Sequence, residues 1–258
     1  LGALRAIEEA GIQPTLYAGT SIGALIAAAY VGGLPLDTMS VRAASLKRRD
    51  IFRINHVGML LERMRSPSIY LEEPLRALAD NNTPKCTFDA LPTRLVINTV
   101  DVERGTLVPW GAPGLTGVRV SDAVYASCAL PGFFPPGEVG GRRCVDGGTM
   151  DNLPVEIASL DADLVVAIDV GNSDILHDER ITREGFASVY MRAATIMMYA
   201  LQGLALSRRG TTPMILVRPR VAHIGWFDFG KSQELEEEGY RATKEALATW
   251  RECMEEPG

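Results

Sequence analysis

A chain of 258 residues with 47% hydrophobic and 22% charged residues is long enough for one large α/β domain, which we expect to span residues 1–258. Its formal net charge of −6 argues against a dedicated nucleic-acid binder, because such proteins usually carry a basic surplus. The four cysteines form no C-x-x-C pair and the three histidines lack zinc-ligand spacing, so we expect reduced thiols, no metal and no cofactor.

The first part of the sequence alternates helical and strand-like segments. Residues 1–11 have the apolar spacing of a helix that stops at a glycine, and residues 15–20 have that of a short buried strand. A helix is predicted over residues 21–32. Further helices are predicted over residues 36–46 and 70–79, with an irregular basic stretch at 48–68 between them.

The rest of the chain continues the alternation. Apolar, β-branched segments at 94–101, 164–170 and 214–220 predict central strands of a parallel sheet. Residues 137–148, GEVGGRRCVDGG, predict a hairpin with a Gly-Gly turn that leads into a glycine-rich loop. Helices are predicted over residues 122–129, 154–160, 184–206 and 233–253. This order predicts a three-layer α/β/α fold with a mainly parallel central sheet.

A G-x-S-x-G pattern stands between the first predicted strand and the helix after it: Gly19, Thr20, Ser21, Ile22 and Gly23. A nucleophile elbow needs a sharp strand-to-helix turn, and glycines on both sides of the serine relieve its crowding. The helix that follows aims its first N–H groups at the place where an oxyanion would form. The alternative is that Ser21 only caps the helix, but the strand–helix context favours a nucleophile.

A serine nucleophile needs a base within hydrogen-bond reach. One hypothesis is a Ser-His-Asp triad of Ser21, Asp146 and either His177 or His223. In such hydrolases several strands precede the elbow, whereas here one helix and one strand do. The two histidines and His56 also stand in segments where a histidine is more often structural or exposed.

The other hypothesis is a carboxylate base at Asp146, which ends a strand-like stretch and is followed by Gly147 and Gly148. The glycines would let the loop approach the elbow closely. A carboxylate with an ordinary pKa of about 4 is a weak base unless burial raises that pKa. Asp151 is a rival base, and a simple turn is the alternative role of Asp-Gly-Gly.

Together, Gly-Thr-Ser-Ile-Gly-Ala at 19–24 and Asp-Gly-Gly at 146–148 resemble the patatin-like phospholipases. Residues 1–12, the Pro-rich segment 126–136, and Asn152 and Pro154 strengthen the likeness, which covers about residues 1–170. The resemblance implies a patatin-like α/β lipid acyl hydrolase with a Ser-Asp dyad. In that dyad Ser21 is the nucleophile and Asp146 is the base.

One departure from the family concerns the oxyanion hole. The resemblance implies a strand and a glycine-rich loop ahead of the first helix, whose N–H groups stabilise the oxyanion, whereas this sequence starts within the helix. Because removal of even one such donor lowers kcat by about 10²–10³, we expect the chain as it stands to be weakly active or inactive.

The resemblance implies a lipid or ester substrate, which would need an apolar groove. We predict Leu130, Phe133 and Phe134 as wall residues, with a core position as the alternative. The Met-rich helix at 189–206 is expected to be core, with a lid over the site as the alternative. The basic cluster at 46–50 with Arg53 is expected to be a solvated face, with contact to lipid headgroups as the alternative.

The sequence therefore predicts a serine acyl hydrolase that acts on phospholipids or related lipids through an acyl-Ser21 intermediate. A non-catalytic lipid- or partner-binding protein on the same scaffold is the alternative. No apolar run approaches the roughly 20 residues of a membrane-spanning helix. We expect a cytoplasmic protein, with attachment to a membrane surface and export left open, and the sequence does not indicate an oligomeric state.

Overall fold

The computed structural model describes residues 1–56, 68–171, 185–208, 210–221, 223–224 and 228–255. They form two compact units. The first unit comprises Leu1–Pro14, Leu36–Ser45 and Val155–Gly258, and the second comprises Thr15–Pro35 and Leu46–Pro154. The single domain expected over residues 1–258 stays a prediction.

Helices and strands alternate along the chain, as the sequence predicts for an α/β protein. The described helices are α1 (Gly2–Glu9), α2 (Ile22–Val31), α3 (Leu36–Ser45), α4 (Arg48–Ile51), α5 (Glu72–Asn82), α6 (Val120–Cys128), α7 (Val155–Ser159), α8 (Gly185–Arg208) and α9 (Ser232–Glu255). The described strands are β1 (Leu16–Gly19), β2 (Arg94–Asp101), β3 (Thr106–Trp110), β4 (Gly137–Val139), β5 (Arg142–Asp146), β6 (Val165–Ile168) and β7 (Met214–Val217). Short 3-10 helices lie at Phe88–Ala90, Gly147–Thr149 and Phe229–Lys231.

The second unit is built on a mixed five-stranded sheet around β2. β2 pairs with β1 in parallel and with β3 and β5 antiparallel, and β4 completes the hairpin with β5. Every residue of β2 after Arg94 is buried, as expected for a central apolar strand. Helix α2 is buried on most of its faces, which explains its run of alanines and apolar residues.

Strands β1 and β5 share one edge of β2, because β3 occupies the other. β1 runs parallel to β2 and ends at Gly19, opposite Ile97. β5 runs the opposite way and ends at Asp146, opposite Thr99. The two strands therefore run toward each other and stop on either side of Asn98. This arrangement brings the segments that follow them together.

The first unit contains β6 and β7, which pair in parallel from Val165↔Met214 to Ile168↔Val217. Helix α9 packs on β7, with a core of Ile215, Val217, Ala242 and Leu247. Helix α1 lies so close to α9 that a Cβ on Gly2 would stand 2.6 Å from the backbone N of Tyr240.

Three local features compare with the sequence predictions as follows. The β4–β5 hairpin has the predicted turn, with φ of 54° at Gly140 and 72° at Gly141. Strand β3 was not predicted, and it contains Pro109, which is tolerated on a strand that pairs along one edge. The stretch expected to be irregular at 48–68 begins with the helical turn α4, and residues 57–67 lie outside the described residues.

Helix α8 differs from the expectation that it is core. Its side chains Val189, Ile196, Met197 and Leu204 are between 45% and 58% exposed, so that expectation is wrong for them. Gln202 on the same helix is buried. The basic cluster at 46–50 is largely exposed, as expected of a solvated face.

Candidate active site

Ser21 lies at the turn between β1 and α2, where the sequence predicts an elbow. It occupies the N-cap position of α2 with φ 55° and ψ −128°. Among the described residues Ser21 is the one non-glycine residue with positive φ, a conformation that costs about 1–3 kcal/mol. Within this part of the chain its side chain makes no capping hydrogen bond. Capping therefore does not explain the serine.

The two glycines of the motif have different roles. A Cβ on Gly19 would lie 2.7 Å from the carbonyl oxygen of Gly23 and 2.8 Å from the N of Ala24, so the tight turn requires glycine there. A Cβ on Gly23 would meet no described atom within 4 Å. The steric reason given for both glycines from the sequence is therefore right for Gly19 and wrong for Gly23.

Helix α6 contacts the elbow through Ser127, a residue that sequence reasoning missed. The backbone N–H of Ser21 donates a 2.9 Å hydrogen bond to the Ser127 hydroxyl. That hydroxyl donates in turn to the carbonyl oxygen of Asn98, at 2.7 Å. Ser127 lies in the Pro-rich segment 126–136, which resembles the patatin-like phospholipases. That resemblance points to the segment but does not single out Ser127.

Asp146 is the last residue of β5 and has 0% exposure. Its Oδ1 accepts the Gly148 N–H at 2.8 Å, and its own N–H donates to the Ala129 carbonyl at 3.0 Å. Burial raises the pKa of Asp146 from 3.8 to about 7, while hydrogen bonds from the Gly148 N–H and the Ser21 hydroxyl lower it by less. Such a carboxylate is a much better base than an exposed one.

The Ser21 side chain is among the hydrogen-bonding groups that lower the pKa of the Asp146 carboxyl. Asp146 Oδ2 is buried and accepts no hydrogen bond from the described residues, so it is an open acceptor position. A serine hydroxyl beside a buried carboxylate with an open acceptor position can pass its proton to that carboxylate.

Asp151, the rival base, joins the two motifs through its backbone. Its carbonyl accepts the Thr20 hydroxyl at 3.0 Å, and its N–H donates to the Gly147 carbonyl at 2.8 Å. Its carboxylate accepts the side-chain N–H of Asn98 at 2.9 Å. The Asp151 carboxylate is thus held by Asn98, and the residue ties the elbow to the Asp-Gly-Gly loop.

Gly147 lies so close to Asn98 that the position has no room for a side chain. A Cβ there would lie 2.7 Å from the carbonyl carbon and 2.9 Å from the Cβ of Asn98. A larger residue would push the loop away from β2. The close approach at Gly147 is therefore to Asn98 of β2, whereas the sequence predicts an approach to the elbow; Gly147 is buried together with Gly148.

The predicted wall residues lie mostly inside the second unit. Phe133 and Phe134 are 7% and 2% exposed, and their rings pack on Tyr70 with centroids 5.9 and 5.6 Å away. Leu130 is partly exposed. A role in substrate binding stays a prediction for these residues. The exposed apolar side chains next to the two motifs are those of Ile22 and Met150.

The described histidines are exposed. His223 places its Nε2 2.7 Å from Oε1 of Glu234, and His56 is exposed. His177, the other triad candidate, lies outside the described residues.

Three further properties concern the described part of the chain as a whole. It holds no cluster of three or more His, Cys, Asp or Glu side chains that could bind a metal ion. None of its helices combines the length and the apolar character that crossing a membrane requires. The four cysteines are free thiols.

Comparison with known proteins points to one family. A family model described as patatin-like phospholipase matches residues 1–159, which include both motifs and Ser127. An uncharacterised NTE family protein of Mycobacterium tuberculosis is 33% identical over 180 residues, which are 67% of this chain and 46% of that protein.

Two other relatives carry names that refer to phospholipids. Lysophospholipase NTE1 of Phaeosphaeria nodorum is 28% identical over 273 residues, covering 98% of this chain and 18% of that protein. A putative patatin-like phospholipase domain-containing protein of Caenorhabditis elegans is 30% identical over 192 residues, covering 67% of this chain and 16% of that protein. The chain spans less than half the length of these relatives.

Proposed function

Because the chain belongs to the patatin-like phospholipase family, we propose that it hydrolyses carboxyl ester bonds of phospholipids or related lipids. Membership confirms the resemblance expected from the motifs and the patatin-like α/β fold class. The lysophospholipase name of one relative supports a lipid ester as the substrate.

The observation that carries this proposal is the pairing of Ser21 with Asp146. Ser21 stands at a strained turn, and Asp146 is a fully buried carboxyl whose pKa burial raises to about 7. A nucleophile beside a base with a pKa near the working pH is the combination that acyl transfer needs. A serine that only caps a helix and an aspartate that only forms a turn would not require a nucleophile beside a base.

In the first half of the reaction, Ser21 Oγ attacks the carbonyl carbon of the ester and its proton passes to the Asp146 carboxylate. The N–H of Ile22, at the start of α2, belongs to the helix N-terminal donors that have no intrahelical acceptor, and it contributes to oxyanion stabilisation. The tetrahedral intermediate then expels the alcohol oxygen, which takes the proton from Asp146. The product is acyl-Ser21.

In the second half, water attacks the acyl carbon and gives its proton to Asp146. Collapse of this intermediate releases the fatty acid and returns the proton to Ser21 Oγ. One carboxyl thus serves first as base and then as acid in each half. Burial of Asp146 suits this alternation between base and acid, because it brings the protonated and ionised forms of the carboxyl close in free energy near neutral pH.

Labelling by a fluorophosphonate probe tests the nucleophile, with the protein carrying its natural N-terminus. We expect one adduct, located at Ser21 by peptide mass spectrometry. Ser21→Ala should abolish the adduct, while Ser45→Ala, an exposed serine on α3, should leave it unchanged. An unlabelled protein would instead support the non-catalytic binding alternative, and an adduct at another serine would refute the assignment of Ser21.

A further inference from the structure

The Ser127 hydroxyl has a defined orientation. Its two partners are a backbone N–H, which can only donate, and a carbonyl oxygen, which can only accept. The hydroxyl proton must therefore point to Asn98, 2.7 Å away, and a lone pair must face the N–H of Ser21, 2.9 Å away. Ser127 has 0% exposure, so water does not compete for either bond.

The bond to Ser21 acts on the strained residue itself. Ser21 holds φ at 55°, and a strained conformation persists only where the surroundings determine it. Rotation of the backbone to an ordinary negative φ would turn the Ser21 N–H away from Ser127. That rotation would leave a buried hydroxyl acceptor and an N–H without their partners, which is unfavourable.

The other end of this link is attached to the strand between the two motifs. Asn98 accepts from Ser127, its side chain donates to Asp151 at 2.9 Å, and its peptide packs on Gly147. Asn98 of β2 thus holds the elbow through Ser127 and contacts the Asp-Gly-Gly loop directly. A change at Ser127 would remove the hydrogen bond that holds the Ser21 N–H, while the bond from Thr20 to Asp151 and the contact of the loop with Asn98 would remain.

We infer that Ser127 is a positioning residue that holds the Ser21 backbone in its strained conformation and so keeps the Ser21 hydroxyl against Asp146. The inference rests on the proposed role of Ser21 as the nucleophile. It assigns Ser127 no contact with substrate.

Ser127→Ala tests the inference, and the same helix supplies a matched control. Ser121 of α6 is also buried, and its hydroxyl accepts or donates no hydrogen bond within the described residues. Ser127→Ala should lower kcat about 10- to 100-fold, since a misplaced reacting group has an effect of this order, with KM nearly unchanged. Ser121→Ala should keep wild-type kcat. Ser127→Thr, which restores the hydroxyl, should recover part of the loss.

Two readouts separate positioning from a merely structural role. In a crystal structure of Ser127→Ala, Ser21 should relax to a negative φ. The apparent pKa of kcat/KM should rise, because the Ser21 hydroxyl would no longer lower the pKa of Asp146. Should Ser127→Ala not fold, Ser127→Cys, which has nearly the same size and a weaker acceptor, replaces it in every measurement.

The inference is overturned if Ser127→Ala keeps wild-type kcat, if Ser21 keeps its positive φ in that variant, or if Ser121→Ala loses as much activity. Failure of the proposed function has a different signature, because a wild-type protein that neither hydrolyses esters nor reacts with fluorophosphonate refutes the role of Ser21. The φ of Ser21 in Ser127→Ala then still decides whether Ser127 holds the elbow.

Discussion

Ser21 follows β1 and Asp146 ends β5, and the Ser21 side chain is among the hydrogen-bonding groups that lower the pKa of this fully buried carboxyl. The two residues meet because β1 and β5 run toward each other along one edge of β2 and end on either side of Asn98. Local sequence could not bring them together, so their proximity is a property of the sheet.

Burial of Asp146 makes the free energy of unfolding depend on pH. Its pKa is about 7 in the folded protein against an ordinary 3.8, so the folded state binds the proton more tightly than the unfolded state. The resulting stability is fully present below about pH 4 and is lost as the pH rises to about 7. Relative to Asp146→Asn, which does not titrate, the wild type should lose up to roughly 4 kcal/mol over this range.

Urea unfolding of both proteins at intervals between pH 4 and 8 measures this difference. The variant is the internal control, because every other titrating group is common to the two proteins. A difference that stays constant over the whole range would mean that Asp146 titrates as an exposed carboxyl.

The same pKa predicts the pH dependence of catalysis. Asp146 must be ionised to accept the Ser21 proton, so kcat/KM should rise with pH through an apparent pKa near 7 and level off above it. Initial rates with a soluble ester, corrected for spontaneous hydrolysis, give the profile. A kcat/KM that has already reached its plateau at about pH 5 would contradict a buried base.

Gly147→Ala should damage both stability and activity. The new Cβ would lie 2.7 Å from the carbonyl carbon of Asn98, and overpacking of this kind destabilises by roughly 1–3 kcal/mol. Gly117→Ala is the control, because a Cβ there meets no described atom within 4 Å. Thermal unfolding and fluorophosphonate labelling measure the two effects. Equal behaviour of the two variants would show that the approach to Asn98 is not tight.

Joint replacement of His56, His177 and His223 by Gln should leave a substantial part of the esterase activity. His223 is paired with Glu234, and a carboxylate base needs no imidazole. Loss of a general base would lower the rate by about 10²–10⁴, so the two mechanisms differ clearly. If a single histidine variant loses activity on that scale while its fold survives, the Ser-His-Asp triad is correct.

Much of the site could be predicted from short strings. The G-x-S-x-G pattern between apolar strand and helix located the elbow, because crowding at Gly19 demands glycine there. The Asp-Gly-Gly string located Asp146 at a strand end for a similar reason at Gly147. These predictions depend on backbone geometry, which a few residues determine.

The contacts around the site could not be predicted in this way. Ser127 and Asn98 reach the elbow through the packing of α6 on β2, and neither residue type signals such a contact. The buried state of Asp146, which sets its pKa, also depends on the whole sheet. The exposure of apolar side chains on α8 could not be predicted either, because a Met- and Leu-rich helix has the composition of a core helix.

The most direct test of the Ser21–Asp146 pair is kcat for four proteins: the wild type, Ser21→Ala, Asp146→Asn and the double variant, with thermal stability measured alongside. Asp146→Asn keeps the shape of the side chain but cannot accept the proton, so it should lose about 10²–10⁴ in kcat. Ser21→Ala lacks the nucleophile and should lose at least as much, and the double variant should be little worse than Ser21→Ala, because the two residues act as a unit. Near-wild-type turnover by Asp146→Asn, or fully additive losses in the double variant, would contradict the proposed dyad.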